Sequence, residues 1–155
     1  MSEETKMSQV EMTTVDETTL RDTVAFVWST LYGIEPTCTD ATPIGDGVTA
    51  SIAIGGSWTA TIVVEMRSEL ALASAAGLFM MEPDEIDDSL LSDAVGEIVN
   101  MVGGNVKGLV DDPSSTLSLP VVARTSQSIV GGVVTVEAGF EVDGSAMTWR
   151  IHESR

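Results

Sequence analysis

Between Val48 and Met66 apolar side chains fall at every second position. They are Val48, Ala50, Ile52 and Ile54, then, past Gly55-Gly56, Trp58, Ala60, Ile62, Val64 and Met66. Successive side chains of a strand point to opposite faces, so a period of two on both sides of a glycine pair predicts a hairpin with one buried face. Such a face has to be covered by a second layer. Leu20, Val24, Val27 and Leu31 recur at helical spacing and predict a helix from Asp16 or Thr18 to about Tyr32, stopped by Gly33. Ser68 is placed to N-cap a short, Ala-rich helix ending near Met81. A second long helix is expected from Asp88 or Ser89 to Val110, closed by Asp111-Asp112-Pro113. Pro36, Pro43 and Gly45-Asp46-Gly47 predict a strand broken by turns ahead of the hairpin. Strand patterns return at Leu117–Val122, at Val130–Val142 and, after the turn Asp143-Gly144, at Ala146–His152. Three helices and about six hairpin-linked strands make an α+β domain, its sheet largely antiparallel with helices on one face.

Composition removes several functional classes. At 155 residues one domain is expected, here 17–155, behind a disordered acidic tail over 1–16. Acidic side chains outnumber basic ones 24 to 7, a formal charge of -17 that repels nucleic acid and anionic membrane surfaces. The single cysteine, Cys38, excludes an internal disulfide and zinc clusters built on cysteine pairs; the single histidine, His152, excludes His-rich metal sites. The longest nearly apolar stretch, Leu70–Met81, is too short to span a bilayer, and the N-terminus lacks the pattern of a secretory signal. A cytoplasmic chain is expected. Trp28, Trp58 and Trp149 are read as core anchors, one on a helix and two on strands. Gly45-Asp46-Gly47 lacks the frame of a phosphate loop, no nucleophile elbow occurs, and His152, near the chain end, is a poor candidate base.

The second long helix carries the chemical signal. Leu91, Ala94, Val95, Ile98, Met101, Val102 and Leu109 form an apolar stripe; Asp93, Glu97, Asn100 and Gly104 stand opposite, at i, i+4, i+7 and i+11. At ~100° per residue these four fall within an arc of roughly 60°. An amphipathic helix commonly presents such a row to solvent. Two details set this one apart. Asparagine is a poor mid-helix residue, and the chain places both of its asparagines, Asn100 and Asn105, here. Gly96, Gly103 and Gly104 each cost up to ~1 kcal/mol relative to alanine, which suits a face that another backbone approaches closely.

Asp93-x3-Glu97-x2-Asn100-x3-Gly104, followed by Asn105-Val106-Lys107, resembles the signature helix of the CheC/CheX chemotaxis phosphatases. Gly56-Ser57-Trp58, the Ala-rich helix, the acidic link after it and Leu117-Ser118-Leu119-Pro120 follow in the CheX-like order, so the likeness spans roughly 18–152. The resemblance implies a pseudo-duplicated two-layer sandwich and hydrolysis of the aspartyl-phosphate of a CheY-type response regulator. On that reading Glu97 and Asn100 are catalytic: Asn100 orients the in-line water and Glu97 pairs with the regulator's lysine. Asp93 and Gly104 support the motif. The chain itself binds no cofactor; Mg²⁺ is expected in the receiver. CheX-type proteins are homodimers, which implies the same here.

The family's internal duplication invites comparison of the first helix. Aligning Leu20–Gly33 with Leu91–Gly104 puts Asp22 on Asp93, but Phe26 on Glu97 and Ser29 on Asn100, so one site per chain is expected. The alternative function is a non-catalytic receiver-binding or flagellar-switch-like module on the same scaffold. Acidic residues also gather at the start of the signature helix, at Glu82, Asp84, Glu85, Asp87, Asp88 and Asp93, with no base among them. They suggest a surface that meets a basic patch on a partner.

Overall fold

A computed structural model describes residues 15–124 and 131–154. Three α-helices, α1 (Glu17–Tyr32), α2 (Ser68–Phe79) and α3 (Asp88–Leu109), cover one sheet. Its strands are β1 (Thr37–Thr39), β2 (Gly47–Gly55), β3 (Ala60–Arg67), β4 (Thr116–Leu117), β5 (Val121–Ala123), β6 (Val133–Val142) and β7 (Ser145–Glu153). A 3₁₀ turn at Pro83–Glu85 links α2 to α3. The expected tail lies almost wholly outside the described residues. At its end Val15 is buried and the Asp16 side chain accepts from Thr19 N at 2.8 Å, N-capping α1.

Every pairing is antiparallel, in the order β1-β6-β7-β3-β2-β4, with β5 also on β2. The order exposes the duplication. One half runs α1-β1-β2-β3 and the other α3-β4-β5-β6-β7, and each half's short outer strand pairs with the long hairpin of the other. Helix packing follows the same exchange: α1 lies against β6 and α3 against β2. The aligned positions Leu20 and Leu91, Val24 and Val95, and Val27 and Ile98 are all buried.

The core is the one predicted by alternation. Val48, Ala50, Ile52, Ile54, Ala60, Ile62, Val64 and Met66 are buried together with the helical stripe. Trp28 and Trp149 are fully buried, whereas Trp58 sits in the turn ahead of β3 and is tied by its indole N–H to Glu153 at 2.9 Å. Several expectations need correction. Ser68 is the first residue of α2 rather than its cap, and Arg67 before it offers no side-chain cap. The segment 117–122 is two short strands, not one, because Ser118-Leu119-Pro120 interrupts the ladder. His152 pairs within β7 against Thr61 and Val134, and burial, with Arg150 nearby, holds its pKa below the ordinary value. Val130, the expected start of β6, lies outside the described residues.

The opposite face of the sheet is also covered. Residues 40–46 leave β1 at one edge and reach β2 by crossing β6, β7 and β3. Thr148 alternates with the core residues Met147 and Trp149, so it points away from the helices; its hydroxyl donates to Thr42 O at 2.6 Å, and Ile44 of the same crossing segment is buried. On this same face Arg150 pairs with Glu65 and with Glu137. No helix among the described residues is long and apolar enough to cross a membrane.

Candidate functional site

Helix α3 is pinned at both ends. Asp87 caps its start, the carboxylate accepting from Leu90 N at 2.8 Å. Ahead of it Glu82 and Glu85 form a capping box around the 3₁₀ turn, and Asp88 pairs with Arg124 at 2.9 Å. Part of the acidic run therefore closes local structure, and one of its members has a basic partner brought from beyond α3. At the far end Asp112 accepts four hydrogen bonds, from Ser57 N and Oγ at 2.8 and 2.9 Å and from Ser114 N and Oγ at 2.9 and 2.6 Å. This clamp ties the exit of α3 to the β2–β3 turn. Gly56 belongs to it: its φ is +128°, and a Cβ there would lie 2.5 Å from the Asp112 carboxylate.

The donors on Ser114 and Ser57 hold the Asp112 carboxyl far below its ordinary 3.8. A depressed carboxylate contributes stability in full above the unfolded-state value and loses it as pH falls toward the folded-state value. The stability difference between the protein and its Asp112→Asn variant should therefore be constant from about pH 5 to about pH 8 and shrink below about pH 4. Urea titrations at several pH values measure it; a difference that shrinks near neutral pH contradicts the clamp.

Between these anchors Asp93 and Glu97 are exposed, Asn100 is half-buried and Gly104 is exposed, so the four residues form one accessible row. The apolar stripe differs from expectation at its end. Leu91, Ala94, Val95, Ile98 and Val102 are buried with Val99 and Val106, but Leu109 is 58% exposed. The two asparagines separate cleanly. Asn105 bonds back along the helix, Nδ2 donating to Met101 O at 2.7 Å. Among the described residues neither Asn100 nor Glu97 has a side-chain hydrogen-bond or ion-pair partner. The glycines separate as well. A Cβ on Gly103 would lie 2.7 Å from Ile52 Cγ2, so this glycine lets α3 sit close on β2. Gly96 rests at contact distance on Pro120 and Val122. Only Gly104 of the three faces open space, where a Cβ would meet nothing within 4 Å.

Asp93, Glu97 and Asn100 of the row, without Gly104, stand on one wall of a cleft of about 570 Å³, lined by Ser92, Asp93, Gly96, Glu97, Asn100, Leu119, Pro120 and Val122. The wall formed by 119–122 was not expected from the sequence, which reads as an unbroken strand there; Pro120 was the available signal of a break. Along α1 the aligned row Asp22, Phe26, Ser29 and Gly33 is also exposed, but it carries neither a carboxamide nor a carboxylate at the two chemical positions, and Phe26 is 58% exposed. Among the described residues no group of three or more His, Cys, Asp or Glu side chains is arranged to hold a metal ion.

The fold, with its antiparallel sheet and three helices, agrees with comparisons to known proteins. The family model of the chemotaxis phosphatase CheX matches residues 48–137, which contain all but the first residue of the β2–β3 hairpin, α2, all of α3 and the short strands β4 and β5. CheX in the CheX–CheY–BeF3–Mg²⁺ complex from Borrelia burgdorferi is 19% identical, with a TM-score of 0.73 covering 92% of this chain and 100% of that one. CheX from Vibrio vulnificus is 20% identical with a TM-score of 0.72, covering 87% of this chain and 93% of that one. CheX from Desulfovibrio desulfuricans is 20% identical with a TM-score of 0.69, over 87% and 96%. No curated protein matches at a significant level. With a family model matched over more than half its length, the chain belongs to the chemotaxis phosphatase family CheX.

Proposed function

We propose that the chain hydrolyses the aspartyl-phosphate of a CheY-type response regulator through Glu97 and Asn100. The observation that carries this reading is that α3 leaves these two side chains side by side and accessible, with no side-chain partner among the described residues, while Asp87 and Asp112 at the two ends of the helix are engaged in a cap and a clamp. Membership in the CheX family supports the phosphatase class, and the Borrelia burgdorferi complex supports a receiver of the CheY type as the partner.

In this mechanism the receiver docks on α3 with its phosphorylated aspartate facing Asn100. The carboxamide oxygen accepts a hydrogen bond from a water molecule and holds it in line with the bond from phosphorus to the aspartyl oxygen. That bond breaks as the water oxygen attacks; the aspartate carboxylate is regenerated and inorganic phosphate leaves. Phosphoryl transfer needs positioning and charge stabilisation more than covalent assistance, which suits a neutral amide. Glu97 meets the receiver's lysine and fixes the docked helix. Asp93 and Gly104 complete the face, one beside Glu97 and one leaving room for the receiver backbone. Phosphoaspartate and Mg²⁺ both belong to the receiver. We extend the reading to a cytoplasmic homodimer with one site per chain, as the family resemblance implies.

The test is the decay of phosphorylated receivers with and without the purified chain. An acceleration with at least one receiver from the same cell is expected, and Glu97→Ala should weaken it mainly through KM, because an ion pair with the docked partner is lost. Unchanged decay with every receiver refutes the proposal. Binding without acceleration would establish the non-catalytic alternative instead.

A further inference from the structure

Leu119 is 86% exposed, yet the backbone that carries it is held from both sides. Ser118 N donates to Ala53 O at 2.9 Å, and Ala53 N donates to Ser118 Oγ at 2.9 Å, so a side chain takes over one ladder bond of β2 at the break between β4 and β5. Ser118 Oγ in turn donates to Leu119 O at 3.0 Å. On the other side Pro120 sits against Gly96 of α3, 3.5 Å from where a Cβ would be. The break therefore holds an outward leucine on a fixed support. A single exposed leucine is ordinary. This one stands on the wall of the cleft that contains Glu97 and Asn100.

The cleft is thus two-sided in chemistry. One wall offers Asp93, Glu97 and Asn100; the other offers Leu119, Pro120 and Val122. Groups that address the reacting centre meet what every substrate of the class shares, so they cannot choose among receivers. Discrimination falls to the rim, where apolar complementarity acts without regard to the phosphoryl group. Building on the function proposed above, we infer that Leu119 is the apolar anchor of the receiver interface. It seats in an apolar patch beside the receiver's phosphorylation pocket, sets affinity and choice of receiver, and takes no part in the chemistry.

The experiment uses the full chain and a receiver activated with beryllofluoride and Mg²⁺, a phosphoryl mimic that cannot turn over. Binding is titrated at about 0.05 M and about 0.5 M salt, alongside steady-state dephosphorylation of the phosphorylated receiver. Leu119→Ala should raise Kd and KM by roughly tenfold while kcat stays within about twofold. Because an apolar contact is not screened, the tenfold ratio should be the same at both salt concentrations. Leu119→Met should restore most of the affinity, and the thermal midpoint of each variant should match the parent, since the side chain is exposed. Unchanged Kd and KM for Leu119→Ala in an active enzyme would overturn the anchor and leave the proposed function standing, as would a loss confined to kcat. A parent chain that neither binds activated receivers nor accelerates decay overturns both.

Discussion

Replacing Asn100 with alanine should cut the acceleration of receiver dephosphorylation by roughly a hundredfold or more, down to the receiver's own decay rate. The side chain does little else in the described structure. Among the described residues Asn100 has no hydrogen-bond partner, so its removal leaves no orphaned group behind. Alanine is the better helix former by about 0.5 kcal/mol, so the variant should be as stable as its parent or slightly more so. Activity and stability are then expected to move in opposite directions, which a merely structural asparagine would not permit. Asn100→Asp sharpens the test. It keeps the size of the side chain and its water-accepting oxygens, but it places a negative charge toward an anionic phosphoryl group. If it retained most of the parent's kcat, the neutral amide would not be the operative feature. Binding to a beryllofluoride-activated receiver should survive Asn100→Ala, because docking is assigned to Glu97 and Leu119. A loss of kcat with the complex intact is the expected signature, and a loss of binding alone would reassign the residue.

The helix row was legible in the sequence because helical periodicity is strict: once a stripe of buried residues is identified, the opposite side follows from geometry alone. Alternation fixed the β2–β3 hairpin for the same reason. Three features escaped it, each through a contact between segments remote in sequence. Ser118 substitutes for a ladder bond to Ala53, which no local pattern announces, and so the apolar wall of the cleft stayed hidden inside an expected strand. Gly96, Gly103 and Gly104 read as signs of an approaching partner, but the first two are explained by the chain's own Ile52, Leu117, Pro120 and Val122 side chains. Asp112 looked like a helix stop and is in addition the acceptor that binds the β2–β3 turn to the end of α3. Local patterns thus located the exposed row of the candidate site, while the surface that surrounds it depended on long-range packing.

The largest effect on stability is expected far from the cleft, at Arg150→Met. Arg150 lies across the sheet from Glu137, with Glu65 on the neighbouring strand, and its guanidinium bonds to both carboxylates. Glu65 is only 8% exposed, opposite the Thr148 that bonds to Thr42 of the 40–46 crossing. Removing the guanidinium leaves that carboxylate under cover without its cation, an arrangement that typically costs about 3–5 kcal/mol when the pair is well buried. Since the Arg150 and Glu65 side chains retain 19% and 11% of their exposure, the lower end of that range is expected, about 3 kcal/mol. For a domain of this size that corresponds to a thermal midpoint lower by roughly 6–12 °C. The double variant Glu65→Gln/Arg150→Met discriminates between a lost attraction and a stranded charge. If the cost is mainly the unpaired carboxylate, the double variant should recover at least half of the loss; if the ion pair itself supplied the stability, it should recover none. Helix α3 lies on the opposite face of the sheet, so kcat measured below the unfolding range should stay at the parental value. A drop in kcat at full folding would mean that the covered face communicates with the cleft through β3 and β2.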